Sequence, residues 1–300
     1  MASNSAGTCE PCGTPTSRRC SKCNEGLDAE GLSTNPTYYC ATDCQTNDRP
    51  THRSNCQSAN ARKQLYRGAQ FLQDVFCAFR EVAYDINIAD IKEVDGKLHV
   101  CVSLKNFTAP TFFPFPNHLV RNKDDKKAIL TLLSCTDALA TMAELVRMCF
   151  DGLCEPTMGI SEVDAPVSTE KHHYALRQLA DEIEDSESTH SIMQITLIDG
   201  RNYVLDLAGA QYAQWRPVRP WDEWSSTYCL GETHYALLGS EAKRLEAINS
   251  GTIPRGPNTD HPLTTFEFHA SKLFLIIVDD WEKSNNTSLV ATLNKKLPEY

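Results

Sequence analysis

Cys9-Glu-Pro-Cys12, Cys20-Ser-Lys-Cys23, Cys40-Ala-Thr-Asp-Cys44 and His52-Arg-Ser-Asn-Cys56 follow one another within the first 56 residues of a 300-residue chain. Seven of the thirteen cysteines lie in that short stretch, a density that demands either a disulfide framework or a metal site. The N-terminus Met1-Ala-Ser-Asn-Ser-Ala-Gly-Thr8 has no basic segment leading into an apolar one, so no secretory signal is expected and the thiols are expected reduced, in cytoplasm or nucleus. Two residues between cysteines is the bite of a knuckle whose sulfurs reach one ion. Three residues between ligands is close to one helical turn on a common face. Cys9, Cys12, Cys20, Cys23, Cys40, Cys44, His52 and Cys56 make eight donors, twice the four that close a structural zinc site. The expectation is two Zn2+ ions with no open coordination position. Residues 1–60 contain few large apolar side chains (Leu27, Leu32, Tyr38, Tyr39), so metal must supply the folding free energy there.

The same residues resemble the MYND zinc finger: Cys9-x2-Cys12-x7-Cys20-x2-Cys23, then Tyr39-Cys40-x3-Cys44-Gln45, then His52-x3-Cys56. The resemblance implies an interleaved pair of sites, with Cys9, Cys12, Cys40 and Cys44 on one ion and Cys20, Cys23, His52 and Cys56 on the other. It also implies a docking module for a protein partner, usually a short, proline-containing peptide. Sixteen residues, Asn24 to Tyr39, separate the fourth and fifth ligands, more than the family usually has. With Gly26, Gly31, Ser33, Asn35 and Pro36 among them, they read as an inserted loop. Across residues 1–60 five basic side chains face six acidic ones, and seven thiolates outweigh two divalent ions, leaving the finger net negative. The whole chain carries −10. Nucleic acid bound by bulk charge is therefore not expected. The longest apolar run, Leu273 to Val278, falls far short of the roughly 20 residues that span a bilayer, so no membrane segment is expected either.

Composition divides the chain into a finger, residues 1–57, and a body, residues 58–300. In the body Leu65, Ala69, Leu72, Phe76, Phe79 and Ala83 recur at threes and fours and predict a helix over 58–84. Asp95-Gly96 and Asp199-Gly200 each separate two strand-like runs and predict hairpins. Residues 124–150 predict one helix, or two broken near Ser134; 169–184 and 233–249 predict further helices, and Trp215 to Trp224 an irregular arm. Thr252 to Pro262 reads as a loop, and Thr264 to Trp281 fits either helix or strand. Helices mixed with hairpins make the fold class α+β, a small two-zinc finger followed by a mixed helix and antiparallel-hairpin domain.

One constellation carries chemistry in the body: Cys135 near a helix start, His190 on the first strand of the second hairpin, and Asp206 near the end of its partner. The string from His190 to Asp206 resembles the histidine-to-aspartate hairpin of transglutaminase-like and papain-like cysteine enzymes, which implies a cysteine hydrolase or transferase. The competing expectation is a scaffold without activity, with Cys135 buried on the stripe that Leu132 and Leu139 define. A two-residue turn at Asp199-Gly200 would pair Asp206 with Met193, leaving it about 10 Å from His190 along the strand. His172-His173 point about 100° apart if helical and would not share an ion.

Overall fold

The structure, a computed structural model, describes residues 7–102, 113–156, 159–178 and 187–252. The loop and the helix-or-strand segment expected between Thr252 and Trp281 lie outside it, apart from Thr252 itself. The finger opens with a two-residue antiparallel ladder, β1 (Gly7–Thr8) against β2 (Pro15–Thr16). It then runs into α1 (Thr42–Val82), a helix of 41 residues. This helix starts sixteen residues before the sequence predicts. Its N-terminal third, Thr42 to Asn55, is polar and contains Pro50, so no apolar period announces it. The C-terminal half is the expected stripe, with Leu65, Ala69, Leu72, Phe76 and Phe79 fully buried. The composition boundary at residue 57 therefore falls inside one continuous helix.

The body follows as β3 (Ile88–Val94), β4 (Lys97–Val102), α2 (Lys123–Leu130) and α3 (Cys135–Phe150). Then come β5 (Ile160–Ser168), β6 (Tyr174–Gln178), β7 (Glu187–Thr196) and β8 (Asn202–Leu205). β9 (Val218–Pro220), α4 (Trp221–Tyr228), β10 (His234–Leu237) and α5 (Ser240–Asn249) complete it. A five-stranded antiparallel sheet has the order β10-β5-β7-β8-β9, and a three-stranded sheet the order β3-β4-β6. The core is α1 and α3 against one face of β7 and β8, where Met142, Val146, Ile195 and Leu205 meet Leu72 and Phe76. Trp224 of α4 fills a smaller cluster with Val163, Ile192 and Val204 of the sheet. Helices and antiparallel hairpins are thus both present, as the α+β class requires. Among the described residues no single helix is long and apolar enough to cross a membrane.

Both hairpins are found, and residues 124–150 form two helices bent by 91°. Three readings are corrected. Of the helix expected over 169–184, the described part, residues 169–178, is not helical: Thr169–Lys171 form one 3₁₀ turn, and β6 pairs in parallel with the free edge of β4, from Leu98 with Tyr174 to Val102 with Gln178. The pairing partner, absent from any local pattern, overrides the helical period. In 233–249 the helix occupies only the second half, because His234 to Leu237 pair with β5 and Gly239, at φ +88°, turns the chain between the two. The buried Glu162 carboxylate then caps α5, accepting from the Gly239 and Glu241 amides at 2.6 and 2.9 Å. The arm from Trp215 to Trp224 contains β9 and the start of α4, held by the edge of β8.

Candidate functional site

The β1–β2 turn brings Cys9 and Cys12 together, the segment before α1 supplies Cys40, and the first turn of α1 supplies Cys44. Cys20 and Cys23 form the second knuckle, opposite His52 and Cys56, one helical turn apart on α1. Cys9, Cys12, Cys40 and Cys44 form one group, and Cys20, Cys23, His52 and Cys56 the other, each with all donor atoms within 4.8 Å of one another. Chain order thus interleaves the two groups.

The donors fit zinc. Sulfur separations are 3.4 Å for Cys12 to Cys40, 3.6 Å for Cys40 to Cys44, 3.8 Å for Cys44 to Cys12 and 3.7 Å for Cys20 to Cys56. A tetrahedron with Zn–S bonds of about 2.3 Å has edges of about 3.8 Å, whereas a disulfide would need about 2.05 Å. All thirteen cysteines are free. Cys23 Sγ lies 3.4 Å from His52 Nε2, and Thr37 Oγ1 lies 3.4 Å from His52 Nδ1, fixing the ring from behind. The Tyr39 hydroxyl donates to Asp48 at 2.6 Å and its buried ring meets the His52 edge, which gives the Tyr-Cys pair a packing role.

The insertion between Cys23 and Cys40 folds back on itself, the Leu32 carbonyl accepting from the Asp28 amide and the Gly26 carbonyl from Thr34. It packs along α1. Lys63 donates to the Asn24 carbonyl at 2.8 Å and Tyr66 to the Ala29 carbonyl at 3.1 Å. Gly31, at φ +79°, approaches the Tyr66 ring so closely that a Cβ would lie 2.5 Å from it. A polar cleft of about 730 Å³ opens beside the second group, lined among others by Glu10, Asp28, Asp48, Arg62 and Asp199. Arg62 of α1 and Asp199 of the β7–β8 turn pair at 2.7 Å across it.

In the body, the structure brings Cys135, His190 and Asp206 together. The Ile198 to Gly200 turn contains three residues, closed by Leu197 N–H to the Arg201 carbonyl, not two. The register becomes Met193 with Leu205, which aligns Asp206 with Ile192 instead of Met193. One residue of slip moves a side chain to the other face. Asp206 therefore shares the face of His190, and the expected 10 Å gap closes to 2.9 Å between His190 Nε2 and Asp206 Oδ2, both side chains buried.

Cys135 is the first residue of α3, with Ser134 at the cap. Cys135 is half-buried and its sulfur interacts with the His190 ring, whose Nδ1, on the side away from Asp206, has no hydrogen-bond partner. Burial raises the thiol, but His190, the Ser191 amide and Thr136 outweigh it and bring it below the usual range. Burial likewise disfavours a charged His190, yet the Asp206 carboxylate and the Cys135 sulfur push it up to about 10. A thiolate–imidazolium pair is the form this arrangement favours. Tyr212 covers the imidazole at 4.4 Å between ring centres. His172 stacks on Tyr174 and accepts or donates at Ser188, and burial holds it neutral, down to about 4.

Several supporting residues escaped the sequence reading. Leu133 has φ +53°, a left-handed conformation costly for leucine, two residues before the thiol. Gly209 lets the chain pass Asp206, where a Cβ would lie 2.8 Å from the carboxylate. Arg80 is a fully buried cation on the apolar face of α1, and a lone arginine four residues after Phe76 was a visible signal for it.

A small module closed by two interleaved four-donor groups is a cross-braced zinc finger. Residues 9–56 match the family model described as the MYND finger. That match and the donor geometry together give a finger that holds two Zn2+ ions and belongs to a class of protein-interaction modules. No curated protein and no solved structure matches the chain.

Proposed function

We propose that the finger docks a protein partner through a short, extended, proline-containing peptide, with Cys9, Cys12, Cys40, Cys44, Cys20, Cys23, His52 and Cys56 as zinc ligands. The observation that carries this is the pairing of two four-donor groups, which leaves the metal nothing to do but hold shape, with an open polar cleft beside one of them. A proline-containing segment enters such a cleft at low entropic cost because its extended form is preset. Fluorescence polarisation against a proline-containing peptide panel should find zinc-dependent binding in the micromolar range. Asn55→Trp, which fills the cleft without replacing a ligand, should weaken it about tenfold or more. Peptide binding unaltered by Asn55→Trp would refute the cleft.

The geometry in the body favours a second reading, a thiol acyl-transfer centre. The Cys135 thiolate attacks a carbonyl carbon, the C–S bond forms, and His190 gives its proton to the departing amine, alcohol or thiol as the bond from the carbonyl carbon to that leaving group breaks. Water or an amine then loses a proton to His190 and displaces the thiolate. Asp206 orients the imidazole and balances its charge. Incubation with p-nitrophenyl acetate, quenched in acid, should leave an acetyl group on Cys135 in the mass spectrum, and none in Asp206→Ala. A wild-type Cys135 that never acquires the label sinks this reading; whether water or an added amine releases it separates hydrolase from transferase.

A further inference from the structure

Arg80 sits near the far end of α1 from the zinc ligands, 1% exposed. Its Nε donates to the carbonyl of Leu130, the last residue of α2, at 3.1 Å. Nη1 donates to Asp137, in the first turn of α3, at 3.0 Å, and Nη2 to Asp85 at 2.6 Å. The guanidinium face lies over Tyr84, 5.5 Å from the ring centre. One side chain thus joins the end of one helix to the start of the next, across the turn Thr131 to Ser134 that contains the left-handed Leu133 and delivers Cys135. Lysine has no planar fork and cannot reproduce three divergent contacts.

We infer that Arg80 is the positioning residue for the Cys135 nucleophile, fixing the turn that aims the thiol at His190. This rests on the thiol-centre reading of Cys135, His190 and Asp206. Two effects combine. The fork holds the α2–α3 turn against the conformational cost at Leu133. It also pairs with Asp137, a carboxylate two residues from the sulfur whose free charge would oppose a thiolate in the same helical turn. The charged and titratable groups facing Cys135 are His190 on β7, Tyr174 on β6 and Tyr212 before β9, with Asp206 behind His190.

The test is the pH profile of Cys135 alkylation by iodoacetamide, read by peptide mass spectrometry on the full zinc-loaded chain. Arg80→Lys keeps the charge and loses the fork. It should slow alkylation at pH 6 about tenfold and move the thiol midpoint upward, with circular dichroism unchanged. Asp137→Ala leaves Arg80 paired with Asp85 and decides the matter if the lysine variant does not fold. Were charge all that mattered, removing Asp137 would speed alkylation at pH 6; the inference requires it to slow. A wild-type profile in Arg80→Lys, or faster alkylation in Asp137→Ala, overturns the positioning role alone. A wild-type Cys135 no faster at pH 6 than in His190→Gln overturns the thiol-centre reading and this inference with it.

Discussion

Stripping metal from the folded chain with a strong chelator unfolds residues 9–56, and metal analysis of the untreated chain returns two zinc ions. The size of the effect follows from what else holds the finger. Its buried apolar cluster consists of Cys20, Cys23, Tyr39, Cys56 and Ala59, three of which are ligands. Each structural zinc contributes about 10 to 16 kcal/mol of apparent binding free energy in comparable small fingers. A whole domain commonly has only about 5 to 15 kcal/mol of net stability. Loss of the ions therefore abolishes the finger instead of loosening it. Cys40→Ala and His52→Ala each break one group of four and should raise hydrogen exchange throughout residues 9–56. The stripe from Leu65 to Phe79, buried against α3 and the sheet, should keep its protection. Zinc content near zero in a chain with native exchange protection would contradict the two-ion centre.

The second large effect is on the reactivity of Cys135. With the thiol shifted down and His190 pushed up to about 10, the thiolate–imidazolium pair persists across the neutral range. Iodoacetamide should modify Cys135 at pH 6 faster than any other body cysteine. Burial pushes Cys77 up to about 12 and Cys154 up to about 11, so both stay protonated there. His190→Gln removes the imidazolium, returning the thiol to about 8.5 or above, where on the order of 0.3% is ionised at pH 6. Alkylation should fall about a hundredfold at that pH and recover as pH rises past 9. The sign is fixed by which form each neighbour favours: the wild-type rate declines on acidification, when the thiolate takes a proton. Acyl transfer should also decline above about pH 10, when His190 loses the proton it must donate. Equal alkylation rates in wild type and His190→Gln at pH 6 would contradict the ion pair.

The finger was largely legible because ligand spacing is a local signal: Cys-x2-Cys and His-x3-Cys encode the bite of the ion wherever the rest of the chain goes. The partition into two interleaved groups was not, since nothing in the spacing says which knuckle shares an ion with which turn. In the body, Leu65 to Ala83 announced α1 by period, while Thr42 to Asn55 stayed silent because metal ligands and not an apolar stripe anchor that part. β6 and β10 were missed for a related reason. Each is an edge strand whose partner, β4 or β5, lies far away in sequence. The candidate thiol centre was legible as residue types, but its geometry hung on one residue of turn length at Ile198 to Gly200, which moved Asp206 onto the face of His190. Arg80 showed how a charge inside an apolar stripe can be read: it is either a misplaced residue or the centre of a buried network, and only its partners from two other helices distinguish the two.

The helix that carries Cys44, His52 and Cys56 also carries Arg80, with no break between them. From His52 to Arg80 it spans on the order of 40 Å at about 1.5 Å per residue. A molecule held at the finger is thus kept at a set stand-off from the α2–α3 turn that Arg80 holds, like a workpiece on a jig, and cannot sweep through space as it would on a flexible tether. Reach, not local concentration, would then select what the body meets: a target must present its docking segment and its second contact point that far apart. Inserting or deleting helical residues between Lys63 and Phe71 would rotate the finger by about 100° per residue and pull Leu65 and Ala69 out of register with the core and Tyr66 away from the finger loop, so packing on both sides locks the stand-off.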